Sequence, residues 1–185
     1  MNFAAIQIQW DEDRKAIVER MRAGGGRPGV TDPTELGRKS GLEVLQCMLR
    51  GELPYPHIAD TLDFTLMEVA AGTATFQGTP QLKHYNPMGT VHGGWYATLL
   101  DSALGCAVQS ALPAGRAYTT VELGMNIVRA ASHQTGPLRA IATVLHSGRQ
   151  LATAEARIVG ADGRLYAHAT TTCLVFEITR SDISG

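Results

Sequence analysis

The chain has 185 residues, 44% hydrophobic and 18% charged, so one domain burying about two-thirds or more of its unfolded surface needs neither disulfides nor a structural metal. Sixteen basic against seventeen acidic side chains leave a formal charge of −1 without a local Lys/Arg cluster, which argues against nucleic acid as a partner, and no apolar run reaches the ~18 residues of a membrane span. Three scattered cysteines, Cys47, Cys106 and Cys173, with no metal-ligand spacing and no secretion signal ahead of them, point to a cytoplasmic protein without metal or disulfides.

In chain order, Trp10 to Ala23 predicts a helix, with acids first, basic residues last, and Ile17, Val18 and Met21 at helical spacing. Gly24 to Gly29 reads as a flexible linker. It also has the G-x-G-x-x-G spacing of a dinucleotide site, but a helix precedes it where a strand is required, and Pro28 and Pro33 spoil the helix that should follow. Residues 1–37 are therefore set apart as an N-terminal helical extension with a Gly-rich linker, free to pack over a partner subunit, and residues 38–185 as the main domain. Ser40 and Glu43 have capping-box spacing, and Leu42, Leu45, Met48 and Leu49 share one face of a short helix that stops at Gly51. Alternation then predicts a strand opening at Leu62 and a second run, Thr73 to Thr79, joined by a turn at Gly72.

Gly93 to Leu112 is apolar nearly all round, the pattern of a buried helix. Four strands follow, Tyr118 to Arg129, Leu138 to His146, Leu151 to Val159 and Leu165 to Phe176, expected as an antiparallel meander. A curved antiparallel sheet wrapped around one long central helix satisfies these faces, an α+β architecture.

Between Lys83 and Arg116 the one formal charge is Asp101, in the middle of that apolar helix. A carboxylate there is paired, beside a wet cleft, or kept for chemistry. In front of it, Asn86 to Gly94 forms an irregular loop feeding the helix start, where unpaired amides at Gly93 and Gly94 can face an oxyanion and His92 either bonds the loop or meets the substrate. Asp101 follows Gly94 by roughly 10 Å of helix, too far for one carbonyl to touch both. If both act, they come from different subunits with antiparallel helices across a two-fold axis.

The motif N-x-x-x-x-x-H-G-G with Asp nine residues beyond the His, Asn86 to Asp101, resembles the hotdog-fold acyl-CoA thioesterases of the phenylacetic-acid-degradation (PaaI-like) type. Further likeness lies in Gly41-Leu42 through Pro54, Thr120 to Leu123, and His146-Ser147-Gly148-Arg149, so the resemblance covers about residues 40 to 180. It implies hydrolysis of an acyl-CoA substrate by a homodimer, often paired into a homotetramer, without cofactor. The Gly93 N–H would polarise the thioester carbonyl, Asn86 would position the carbonyl or water, and Asp101 of the facing subunit would act as nucleophile or general base. Thr120 would orient water, with an ordinary strand residue as its alternative, and His92 would support the loop or carbonyl. Gly94, Ser147, Gly148 and Arg149 would contact substrate, Arg149 at the CoA phosphates. Trp95, Leu99 and Met125 are candidates for the acyl lining. Arg129-Ala130-Ala131 departs from the Arg-Pro-Ala of many relatives. The alternative function is a non-catalytic acyl-CoA-binding or sensor protein on the same fold.

Overall fold

A computed structural model describes residues 3–178; the expected extension's first two residues and the main domain's last seven lie outside that range. The N-terminal helix α1 spans Phe3–Ala23 and begins seven residues before the expected start. No breaker interrupts Phe3 to Gln9, and the half-buried positions 6, 7, 10, 13, 14, 17 and 18, closing on buried Met21, form one helical stripe. Much of that stripe is polar, which hid it from an apolar count. α1 packs on its own chain. Thr65, Gln77 and Arg139 are a cross-strand row on the sheet, and α1 bonds all three: Arg14 Nε donates to Thr65 Oγ1 (3.2 Å), Gln77 Nε2 to the Trp10 carbonyl (3.0 Å), and Arg139 pairs with Asp13 (3.0 Å). The Arg139 guanidinium also lies 4.3 Å from the Trp10 ring centroid.

The glycine run expected as a flexible linker is a fixed crossing of two backbones. A Cβ on Gly24 would lie 1.9 Å from the Arg50 carbonyl oxygen, and one on Gly51 would lie 2.0 Å from that of Met21. Beyond the crossing, Gly29 N–H donates to the Tyr55 carbonyl (2.9 Å) and Tyr55 N–H to that of Arg27 (3.1 Å). Two short helices were not foreseen: α2, Pro33–Arg38, capped by Asp32, and α4, His57–Leu62. Between them, α3 spans Gly41–Arg50 with the expected Ser40/Glu43 capping box and a left-handed Gly51 at its C-terminus. Leu62 ends α4 instead of opening a strand, and Asp63 turns the chain in the left-handed region (φ 57°).

Strands β1, Phe64–Ala70, and β2, Thr73–Gly78, form the hairpin, and α5, Gly93–Ser110, is the buried central helix. Leu99, Leu100, Ala103, Leu104, Ala107 and Val108 on it are fully buried. β3, Arg116–Ile127, β4, Leu138–Ser147, β5, Leu151–Gly160, and β6, Leu165–Glu177, complete a six-stranded antiparallel sheet in the order β1-β2-β4-β5-β6-β3. The expected four-strand meander is therefore corrected. Only β4-β5-β6 is a meander: α5 carries the chain across the sheet to the far edge, where β3 pairs with β6, and residues 128–137 return it to pair β4 with β2. The sheet wraps around α5 as a hotdog fold.

A bulge at Thr120/Glu122 interrupts β3 opposite Cys173 and Thr172. Before it Tyr118 and Thr120 pair with buried Val175 and Cys173; after it Leu123, Met125 and Ile127 pair with buried Thr171, Ala169 and Ala167. The extra residue thus switches the inward face from even to odd positions. Were the same sequence a regular strand without the bulge, Glu122 and Asn126 would point at the helix.

Candidate functional site

The loop before α5 closes on itself. Asn86 Oδ1 accepts the N–H of Met88 (2.9 Å) and Thr90 (3.2 Å), while its Nδ2 donates to Thr90 Oγ1 (2.9 Å). Its amide is engaged within the loop. His92 is the N-cap of α5, and its Nδ1 accepts the Gly94 N–H at 2.8 Å, which assigns the proton of a neutral ring to the outward Nε2. Gly94 is thereby capped. The Gly93 N–H, at the first helical position, donates to no described group, and a Cβ there would sit 3.5 Å from Ile127 Cδ1 at the end of β3.

Two turns along α5, half-buried Asp101 accepts a hydrogen bond from Thr120 Oγ1 (3.0 Å). Gly105, one turn further, lets β3 approach: a Cβ there would fall 2.2 Å from the Tyr118 hydroxyl. Tyr118 and Cys106 flank this patch. Burial, then the nearby Asp101 charge, push the Cys106 thiol up to about 12. Burial, reinforced by Cys106 and Asp101, raises the Tyr118 phenol well above its ordinary value. Both stay neutral near pH 7. Neither was singled out from sequence, although Tyr118 shares Thr120's face and Cys106 lies one turn past Asp101.

Within one chain these groups form two stations on one side of α5, Gly93 against Ile127 and Asp101 against Thr120. They are not brought together. The expected substrate turn is a third station: Gly148 N–H bonds the Leu151 carbonyl (2.8 Å), Ser147 and Arg149 are exposed, and the Arg149 carbonyl accepts from Arg116 at the start of β3. That turn lies at the opposite end of β3 from Gly93. Trp95 and Leu99 belong to the core, whereas Met125 is half-buried on β3. At the departure from Arg-Pro-Ala, the Ala131 N–H donates to the Tyr96 hydroxyl (2.7 Å).

His84 was also missed. It is 5% exposed, stacks on Trp95 at 5.8 Å, and accepts the Gln81 N–H at Nδ1, while its Nε2 is buried without a partner among the described residues. Burial, reinforced by Lys83, holds its pKa below the ordinary imidazole value. Among the described residues no group of three or more His, Cys, Asp or Glu forms a metal cluster, and no helix is long and apolar enough to cross a membrane.

Comparison with known proteins bears on the fold and the family. The sequence profile of the thioesterase superfamily matches residues 88–167, which include Gly93, Asp101 and Thr120. A Halobacterium salinarum protein named "Putative esterase" is 42% identical over 73 residues, 38% of this chain and 46% of the relative, so the match spans about half of that protein's length. The solved structure of a phenylacetic acid degradation-related protein from Ralstonia eutropha is 32% identical, covering 71% of this chain and 98% of that one, with a TM-score of 0.65. The PaaI protein of E. coli, at 21% identity, covers 76% of this chain and 94% of its own with a TM-score of 0.64, a likeness of fold. The chain belongs to the thioesterase superfamily, as a hotdog-fold protein of the PaaI-like type.

Proposed function

We propose that the protein hydrolyses acyl-CoA thioesters at a site completed by a second copy of the chain. The observation that carries this reading is the spacing of the two stations on the bare edge strand β3. Thr120 marks Asp101 and Ile127 marks Gly93. With the bulged Val121 taking no register position, an antiparallel β3–β3 pairing with its two-fold axis at Gly124 sets Ile127 opposite the partner copy's Thr120. The free Gly93 amide of one copy then faces the carboxylate of the other.

The same symmetry brings the Ser147-Gly148-Arg149 turn of one copy to the Gly93 end of the other, where the Arg149 guanidinium can meet a CoA phosphate. The Gly93 N–H stabilises the oxyanion that forms when the thioester carbonyl is attacked. Asp101 acts as general base on water or as nucleophile. Thr120 donates to Oδ1, and Oδ2 is the oxygen left to take the proton or attack the carbonyl. In the general-base route water oxygen bonds to the carbonyl carbon, the C–S bond breaks, and the proton taken by Asp101 passes to the CoA thiolate. Asn86 and His92 contribute by fixing the loop and the helix start. Exposed Leu145, Leu151, Leu174 and Phe176 support a second pairing into a tetramer, and three free thiols suit a reducing cytoplasm.

The test is a panel of acyl-CoA and acyl-carrier-protein thioesters. Asp101→Asn should lose about 10²–10⁴ in kcat while keeping its mass and its affinity for substrate. No turnover of any thioester by the wild type overturns the reading, and tight binding without turnover would transfer it to an acyl-CoA sensor.

A further inference from the structure

The wrapped sheet does not close. Its edges β1 and β3 splay apart near Phe64 to Leu66 and Arg116 to Tyr118, and α1, α3 and α4 cover the gap, leaving a cavity of about 590 Å³ between them and α5. Val18, Leu45, Met48, Phe64, Phe76 and Tyr118 give it an apolar wall. Arg14 and Asp63, bonded to each other at 2.5 Å, line the side beneath α1. Close-packed interiors leave few voids larger than a water molecule, whereas this volume lies in the range of ligand pockets, about 300–1,000 Å³.

We propose that this cavity holds the aliphatic chain of a medium or long acyl group, an assignment that rests on the thioesterase reading and specifies its substrate. Continuity with the site carries the argument. Cys106 and Tyr118 line the cavity and also flank Asp101, so a carbonyl held at Asp101 can send its acyl chain along α5 into the gap while the sulfur points outward to the Arg149 turn. The charged lining residues, Arg14, Arg22, Asp60, Asp63 and Arg116, come from the covering helices, the turn before β1 and the start of β3, whereas α5 lines the cavity with the uncharged Cys106 and Gln109. An acetyl or phenylacetyl group would leave most of the space unfilled. The cover is supplied largely by the N-terminal helices, so the segment ahead of the sheet reads chain length.

Binding and turnover test this separately. Asp101→Asn protein is titrated calorimetrically with acetyl-, phenylacetyl-, octanoyl- and palmitoyl-CoA, and wild type is assayed on the same compounds. Affinity should rise from acetyl- to octanoyl-CoA by roughly tenfold or more, through transfer of methylene groups out of water. Adding Met48→Trp, or Val18→Phe on the outer helix should the first variant fold poorly, should abolish that gain. Chain-length-dependent binding that wild type does not convert to turnover would sink the thioesterase reading and leave the cavity assignment standing. Equal affinity for all four compounds, a preference for phenylacetyl-CoA, or an undiminished octanoyl preference in a folded cavity variant would overturn the assignment.

Discussion

The two edges of the sheet have the same need for backbone partners and meet it differently. β1 is seven residues long and buried over its first four; α3 and α4 pack against it and α1 ties it down through Arg14, Asp63 and Thr65. β3 runs for twelve residues, none fully buried, with Val121 59% and Ile127 42% exposed, and no described strand pairs along its outer side. Monomeric proteins shorten, cover or charge such an edge. Here one edge is covered and the other is left long and apolar, and the uncovered one carries both halves of the candidate site.

The largest effect should come from charging the open edge. Val121→Glu together with Ile127→Glu changes exposed side chains and should give a folded monomer by analytical ultracentrifugation with thioester hydrolysis at background; an active dimer would place the interface elsewhere. On the covered edge, Arg14→Ala should leave mass unchanged and lower stability by about 1–3 kcal/mol in urea unfolding, because it strips charged hydrogen bonds from Asp63 and Thr65.

The smallest effect belongs to His84, whose neighbour Trp95 bonds the Leu62 carbonyl beside β1. Its folded pKa lies below the ordinary 6.5, so as pH falls through that value the unfolded chain takes up a proton that the folded chain refuses. Stability therefore drops below about pH 6.5, by no more than about 1.4 kcal/mol per pH unit for this one proton, until the folded pKa is reached. Comparing Tm at neutral and mildly acidic pH for wild type and His84→Gln checks it: the variant's curve should be flatter.

Periodicity made most of the fold legible. The capping box at Ser40, the all-apolar run of α5 and the alternation of the last strands are local patterns with local causes, and each lies where it was expected to within a few residues. Strand order was not legible, because the alternation that marks β3 and β4 is the same whether they pair with each other or with β6 and β2. α1 was read short because its inner stripe mixes Gln7, Asp13 and Arg14 with apolar residues. At the site, the isolation of Asp101 in apolar sequence was visible, as was its distance from Gly93. The engagement of Asn86 within its own loop and the walls supplied by Cys106 and Tyr118 depend on contacts that spacing does not encode.

The β3 bulge also decides the parity of the edge. From Thr120 to Ile127 the strand steps through seven residues while the paired stretch of β6, Cys173 to Ala167, steps through six, so the surplus residue, Val121, is absorbed in the bulge and adds no length. Thr120 and Ile127 thereby lie three register steps on either side of Gly124 and on the same face of the sheet. A strand that pairs with its own copy about a perpendicular two-fold axis sets each residue opposite one of like facing, so its two ends can meet only when the steps between them are even. One exposed valine with no chemistry of its own thus turns an odd spacing into an even one.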